Sequence, residues 1–499
     1  KMNKLEKILG INFPKGLKIS NVTNSTDKVV DGSIFFGLKG TFNHGSKYIN
    51  KALTLGASII VHNDPNFSSN KSNIFFIEDL EETKQNNSRD KVYDFLTEFY
   101  DLNDLQNENN FFTFTGTNGK TSSAYLCHQI LVNAGYKSMY IGTLGAQYKD
   151  KEINNAISFK TTPDIFELFE IFNYFKINEP ISVCIEISSH ALDQNRLKNI
   201  SFTNSACILN IGSDHLDYHK DIQSYKDAKF KIFKNTCPLK LIHEDLAEDA
   251  NKYPYVKNNR YNTTVISNKT TSSDIFYEII ESSINNTVFK ISINNPPIGY
   301  QPSSRKEYLF ETSIFPDFNI SNLVFAICSV GFSIFSETKI NDLFFLKLPK
   351  GRSDFISNIP ANVIIDYAHN TEGFIFFLSS IKNYFNNLII VFGCGGDRDK
   401  KKRPKMLKAA IDHGKKVIFT SDNSRFESFW EIYSDATNNN EENKVIAIED
   451  RREAIIQGSL MLEKNDCLVV LGKGHEDTQE INGSKIYFSD HEVINEIYK

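Results

Sequence analysis

Cysteine, tryptophan and proline are sparse in this chain of 499 residues, with seven, one and 13 copies. Cys127, Cys184, Cys207, Cys237, Cys328, Cys394 and Cys467 stand far apart, mostly inside apolar runs. That spacing offers neither a zinc-ligand pattern nor a disulfide framework, and the seven read as reduced core thiols. No uncharged apolar run reaches the ~18 residues of a membrane span. Lys1-Met2-Asn3-Lys4 is not followed by an apolar signal core, so no export and no membrane insertion are expected, and the location implied is cytoplasmic. An excess of positive charge is also missing. The formal net charge is -5, which leaves no global field to hold nucleic acid, and an anionic ligand must be met by a local site.

What is there is globular in balance, 40% hydrophobic and 23% charged, and too long for one core, so about three folding units are expected. In the first hundred residues the short apolar strands Ser33–Leu38 and Ala57–Val61 alternate with helical stretches. The polar, Asn-rich stretch from Asp101 to Asn110 marks a boundary near residue 106. The continuous apolar runs Phe111–Thr115, Val183–Ile187 and Ala206–Leu209 alternate with amphipathic helices, the pattern of a parallel sheet covered on both faces. The shorter alternating strands between Tyr277 and Ile293 predict a side sheet. A third α/β block begins near Leu348, with apolar strands at Val363–Ile365, Leu388–Phe392, Val417–Phe419 and Cys467–Leu471. The predicted architecture is α/β in three domains, 1–106, 107–347 and 348–499.

The most informative segment, Thr113-Phe114-Thr115-Gly116-Thr117-Asn118-Gly119-Lys120-Thr121-Ser122, follows a strand and opens a helix. Its glycines let the backbone wrap an anion, the amides at the helix start point at phosphate, Lys120 adds a point charge, and the Thr121 hydroxyl can ligate Mg²⁺. A Gly-rich turn that only caps a helix is the plain alternative. A phosphate loop by itself does not separate a ligase from a kinase or a nucleotide switch.

Glu186 ends the apolar strand Val183-Cys184-Ile185-Glu186, where a carboxylate is either bound or solvated. Asn210-Ile211-Gly212-Ser213-Asp214-His215 follows the next strand, and a strand-end histidine such as His215 is commonly structural. Lys229, in Tyr225-Lys226-Asp227-Ala228-Lys229, reads as one of several lysines on a helix face. Asn319, in Asp317-Phe318-Asn319-Ile320-Ser321-Asn322, suits a helix N-cap. The run Gly393-Cys394-Gly395-Gly396-Asp397-Arg398-Asp399-Lys400 would pass as a solvated charged face were it not for the strand and glycines around it.

Taken in order, these segments resemble the Mur ligase family, most closely its MurE branch. The phosphate loop is one residue shorter than the general Walker pattern and is similar to T-G-T-x-G-K-T/S, which Mur ligases share with folylpolyglutamate synthetases. Glu186 to Arg196 resembles E-x-S-S-H-x-L-x-Q-x-R. Gly351-Arg352-Ser353-Asp354 resembles G-R-x-E with Asp in the last place, and Asp366-Tyr367-Ala368-His369 matches D-Y-A-H, followed by Asn370-Thr371 where T-P or N-P is common. Gly393 to Pro404 matches G-C-G-G-D-R-D-x-x-K-R-P, Asp422-Asn423-Ser424-Arg425 resembles D-N-P-R, and Gly472 to Asp477 matches G-K-G-H-E-D. In the first hundred residues the likeness thins: Asn24-Ser25-Thr26 stands where the family has D-S-R.

The resemblance implies an ATP-dependent carboxylate–amine ligase of peptidoglycan precursor synthesis, expected as a monomer. Its three parts would be a small α/β UDP-sugar domain, a central phosphate-loop ATPase domain and a C-terminal Rossmann-like domain. Gly116, Thr117, Asn118, Gly119, Lys120 and Thr121 would hold ATP, with Asn322 at the adenine and Arg352, Asp366 and His369 on the nucleotide. Thr121, Glu186, His215 and a carbamylated Lys229 would hold Mg²⁺, and Lys120, Glu186, His215 and Lys229 form the implied catalytic set. Ser25, Thr161, Thr162, Ser188, Gln194 and Arg196 would contact UDP-MurNAc-L-Ala-D-Glu. Arg398, Asp422, Asn423, Arg425, Gly472 and Glu476 would contact the incoming amino acid. Planar guanidinium forks at Arg398 and Arg425 favour meso-diaminopimelate over L-lysine, because lysine would leave Arg425 without a partner. The rivals are the same reaction with L-lysine, a folylpolyglutamate synthetase-like ligase, and a binding protein that has lost catalysis. Intact Lys120, Glu186, His215 and Lys229 speak against the last.

Overall fold

The computed structural model describes the chain except residues 41–42, 79–87, 103–108, 150, 153–160, 175–180, 198–199, 201–202, 213–218, 220, 235–236, 258–262, 298–299, 301, 357–358 and 439–442. The first sheet is parallel throughout, in the order Val22–Thr23, Ser33–Gly37, Ala57–His62 and Ile74–Phe76. Helices Met2–Leu9 and Ser88–Tyr100 close its core through Leu5, Leu9, Phe95 and Leu96 against Ile34 and Phe36.

Among the described residues the second sheet has 12 strands. Its centre runs Thr263–Ser267, Leu239–His243, Ser205–Ile208, Asn110–Thr115, Ser182–Glu186 and Ser138–Gly142, each parallel to the next. Successive side chains serve opposite faces. Phe112 and Phe114 pack with the helices Lys120–Asn133 and Asn319–Val330, while Phe111, Val183 and Ile185 pack with the helices Ile165–Tyr174 and Ile222–Phe230. Burial on both faces explains why these strands read as unbroken apolar runs.

The side sheet expected between Tyr277 and Ile293 is instead a continuation of this one. Ile275–Ser282 pairs in parallel with Thr263–Ser267, and Thr287–Ile293 and Lys306–Thr312 follow antiparallel. Alternation arises because these strands bury one face only, with Tyr277 inside and Glu278 outside. The sequence period reports that one-sided burial, not a break in hydrogen bonding.

Among the described residues the third sheet has six strands, Asp354–Phe355, Asn362–Asp366, Cys467–Leu471, Leu388–Phe392, Lys416–Phe419 and Val445–Ala447, all parallel except the first. The last of these in sequence lies between two earlier ones, so the ends of Asn362–Asp366, Cys467–Leu471 and Leu388–Phe392 meet. In such sheets ligands bind beyond the carboxyl ends of the strands. All seven cysteines are buried and unbridged, and among the described residues no helix is long and apolar enough to cross a membrane.

Candidate active site

The phosphate loop joins the strand Asn110–Thr115 to the helix Lys120–Asn133. Gly119 is left-handed at φ 85° and packs so tightly that a Cβ there would sit 2.2 Å from Asn322 Oδ1. Only glycine fits both demands. Asn210, on the next strand end, clamps the loop. Its side chain accepts from Asn118 N at 2.9 Å and donates to Asn118 O at 3.0 Å, and its carbonyl accepts from Thr117 N. Lys120 Nζ donates to Gly116 O at 2.8 Å and Thr117 O at 2.9 Å.

Glu186 is fully buried and is the hub of the site. Oε2 accepts from Thr121 Oγ1 at 2.9 Å and Thr143 Oγ1 at 3.1 Å, and Oε1 from Thr143 N at 2.9 Å and from the Tyr140 hydroxyl. Burial and the adjacent carboxylate push the Tyr140 phenol well above its ordinary range, with Arg352 acting in the opposite sense, so Tyr140 donates. A Cβ on Gly142 would lie 2.0 Å from Glu186 Oε1, which fixes glycine at that turn. Tyr140, Thr143 and Asn210 were not picked out from sequence. A tyrosine in an apolar strand signals a buried hydroxyl in need of a partner, but nothing in the linear order pairs it with Glu186.

Thr162 connects this hub to its neighbours. Its hydroxyl donates to Glu186 O at 2.9 Å and accepts from Ser188 N at 2.9 Å, and its carbonyl accepts from Arg196 Nη1 at 2.6 Å. Arg196 Nε donates to Gln194 Oε1 at 2.9 Å, Ser188 caps the helix Ser189–Asp193, and Thr161 Oγ1 accepts from Thr143. Thr161, Thr162, Ser188, Gln194 and Arg196 are thus one cluster. Ser25 stands apart on the first sheet, capping the turn Thr26–Lys28.

Lys229 is no surface lysine. It is buried, donates to Gly116 O at 2.8 Å and lies over the Tyr225 ring, 4.5 Å from its centroid. His215 falls outside the described residues. Asn322, which the resemblance implies at the adenine, lies beside the phosphate loop at Gly119; its Oδ1 accepts from Ser123 at 3.5 Å and its Nδ2 donates to Asn319 at 3.0 Å. The buried Nδ2 of Asn319 has no partner among the described residues.

From the third sheet, Arg352 stacks on Tyr367, 4.3 Å from the ring centroid, and its buried Nε has no partner among the described residues. Asp354, where the family pattern has Glu, accepts from Gly351 N at 3.0 Å and lies 2.8 Å from His491 Nε2. Asp366 accepts from Ser353 N and Ala368 N, and burial raises its carboxyl above the usual range. His369 is exposed and its Nδ1 lies 2.9 Å from Tyr367 O. Asn370, in place of the proline-bearing pair, caps the helix Thr371–Ile381 through Gly373 N at 2.8 Å, so the departure supplies a cap.

Beyond Leu388–Phe392, Lys416–Phe419 and Cys467–Leu471 lies a cluster of polar side chains. Glu476 accepts from Asn423 Nδ2 at 3.1 Å, Lys473 Nζ at 3.2 Å and the Tyr367 hydroxyl at 3.4 Å. Asp422 lies against Gly472. The fully buried pair Arg451–Asp490 supports these strand ends, with Arg451 donating to Leu471 O and Ser421 O. Arg398 is exposed. Arg425 has partners of its own: Gly396 O, Asn423 O and the Glu480 carboxylate. The expectation that a lysine substrate would strand Arg425 therefore does not hold. Glu480 sits beyond the recognised motif, and no sequence signal linked it to Arg425.

The Mur ligase middle domain model matches residues 114–330 and the Mur ligase, glutamate ligase domain model matches residues 351–474. The UDP-N-acetylmuramoyl-L-alanyl-D-glutamate--2,6-diaminopimelate ligase of Wigglesworthia glossinidia brevipalpis is 32% identical over 510 residues, 96% of this chain and 95% of its own. The ligase of the same name from Phocaeicola vulgatus is 32% identical over 99% of both. A solved structure of a UDP-N-acetylmuramoyl-L-alanyl-D-glutamate--2,6-diaminopimelate ligase aligns with a TM-score of 0.61 at 25% identity, over 99% of this chain and 98% of that one. Folylpolyglutamate synthase of Thermotoga maritima shares the fold over 76% of this chain, at TM-score 0.53 and 19% identity. Fold, site and relatives define an ATP-dependent carboxylate–amine ligase. Within that class the chain belongs to the Mur ligase family.

Proposed function

We propose that this ligase adds meso-diaminopimelate to UDP-MurNAc-L-Ala-D-Glu. The observation that carries the reading is the buried Glu186 carboxylate hydrogen-bonded to Thr121 on the phosphate loop, within one cluster that reaches Ser188, Gln194 and Arg196. It joins a nucleotide end to a place for a second substrate. The near-full-length likeness to diaminopimelate ligases supports the choice of substrates.

In this reading a substrate carboxylate oxygen attacks the γ-phosphorus, the β,γ-bridging P–O bond breaks, and ADP leaves. The amine then attacks the acyl carbon, phosphate departs, and the amine proton passes to solvent. Phosphoryl transfer depends mainly on positioning and charge, so the loop amides and Lys120 hold the polyphosphate and Arg352 meets charge that shifts during transfer. Asn322 and Asn319, whose Nδ2 has no partner among the described residues, stand beside the phosphate loop at Gly119 and from there would meet the nucleotide.

The Thr121 hydroxyl and the Glu186 carboxylate are hard oxygen donors beside the phosphate loop, a donor set that fits Mg²⁺. Bound there, the ion neutralises phosphate charge. His215 and Lys229 complete the proposed set, with Lys229 carbamylated so that the group beside the phosphates is anionic. Residues 1–106 hold the UDP-sugar, 107–347 the ATP and 348–499 the amino acid.

The test is phosphate release from ATP with each component withheld in turn. Turnover should require Mg²⁺, the UDP-sugar dipeptide and diaminopimelate together, and Lys120→Ala should lower kcat at least ~100-fold. ATP turnover indifferent to the UDP-sugar dipeptide would overturn the reading.

A further inference from the structure

The donors of Arg425 are unevenly committed. Nη1 is spent on Gly396 O at 2.8 Å and Asn423 O at 3.4 Å. Nε faces Glu480, with 3.3 Å between Nε and Oε2. A carboxylate that takes a guanidinium with both oxygens uses two parallel N–H groups. The edge left for it is Nε with Nη2, and Glu480 already stands on that edge.

The backbone of the antiparallel hairpin formed by Thr478–Ile481 and Ser484–Tyr487 fixes Glu480 there. Arg425 N donates to Glu480 O at 2.9 Å and Asn482 N donates to Arg425 O at 2.7 Å, making a bridge between Arg425 and Ile481. Arg425 itself is held in the left-handed region at φ 51°, which costs energy for a non-glycine residue and recurs at ligand sites. Backbone pairing thus sets the separation of the two side chains. Both remain partly accessible, at 21% and 33%, so an incoming carboxylate can displace the pair.

We propose that Glu480 is an internal competitor for Arg425 and so tunes how strongly the pocket favours an amino acid with a distal carboxylate. This rests on the amino-acid pocket assigned above. A dicarboxylic substrate must first displace Glu480 from the guanidinium. A substrate ending in an ammonium alone has no such exchange to make, and it gains from the Glu480 charge. Glu480 acts through Arg425 and takes no part in bond making, so it is a positioning residue whose effect falls on KM and not on kcat.

Steady-state kinetics of the full chain test this with Glu480→Gln, which keeps the shape and removes the charge, and Glu480→Ala as a second variant. KM for meso-diaminopimelate should fall about 2- to 5-fold, the scale of a partly exposed ion pair. Then kcat and the KM values for ATP and the UDP-sugar dipeptide should stay as they are, and selectivity over L-lysine should rise by at least the same factor. In an Arg425→Ala background, Glu480→Gln should leave the KM for diaminopimelate unmoved. An unchanged or raised KM in Glu480→Gln, or an equal fall with and without Arg425, overturns the proposal. Unsubstituted protein that forms no diaminopimelate product overturns instead the functional reading on which it rests.

Discussion

The Thr121 hydroxyl donates to Glu186 Oε2 across 2.9 Å, tying the first turn of the phosphate-loop helix to the end of the neighbouring strand. Four donor groups converge on that buried carboxylate. Glu186→Gln keeps the shape but turns an amide group towards hydrogen-bond donors. It should lower kcat at least ~100-fold and destabilise the fold by about 1–3 kcal/mol, the cost of leaving buried donors unmatched. Phosphate release and urea unfolding read the two effects. Activity within tenfold of the unsubstituted protein would count against Glu186 as the hub.

Lys229 gives a second test, because its amine is buried against Gly116 O and the Tyr225 ring. Lys229→Ala should be nearly inactive and partly restored by short-chain carboxylates, which replace the oxygen ligands of a carbamate. Isotopically labelled bicarbonate should yield a carbamate carbonyl signal that is absent from the variant. Full activity in Lys229→Ala without added carboxylate would refute the assignment.

Strand, loop and helix at Asn110–Asn133 were legible because three local signals agree: an apolar run, glycines at the turn and a helix start. The parallel strands of the second and third sheets were legible for a related reason, since burial on both faces leaves uninterrupted apolar stretches. The attachment of Ile275–Thr312 to the main sheet was not, because a hydrophobic period reports which face is buried and says nothing about which strand supplies the hydrogen bonds. Partners distant in sequence were the other blind spot. Tyr140 with Glu186, and Arg425 with Glu480, meet only through the order of strands and the register of a hairpin. Asn370 shows the opposite case, where a departure from a family pattern is itself a local signal, a helix cap, legible once the helix boundary is known.

His475 links stability to pH. Burial first, and the nearby Arg352 charge second, lower its pKa from the ordinary 6.5 to about 4. The unfolded chain therefore binds a proton at a pH where the folded chain does not. Its stabilising contribution is complete above about pH 6.5 and is lost as pH falls from there towards about 4. Between about pH 7 and about pH 5 the loss is at most about 2 kcal/mol. Urea midpoints at the two pH values should show a smaller drop for His475→Gln than for the unsubstituted protein, whereas equal drops would remove His475 as the cause.

The central claim is that the amine added is that of meso-diaminopimelate, selected at its distal end by the pocket around Arg425 and Glu476. Placing diaminopimelate and L-lysine together at equal concentration in one ligation with ATP, Mg²⁺ and UDP-MurNAc-L-Ala-D-Glu, and quantifying both products by mass, tests it most directly. The account predicts diaminopimelate product in at least ~10-fold excess, below the ~10⁴ that a fully committed polar site can reach, because Glu480 competes for Arg425. Equal incorporation, or a preference for lysine, would contradict it.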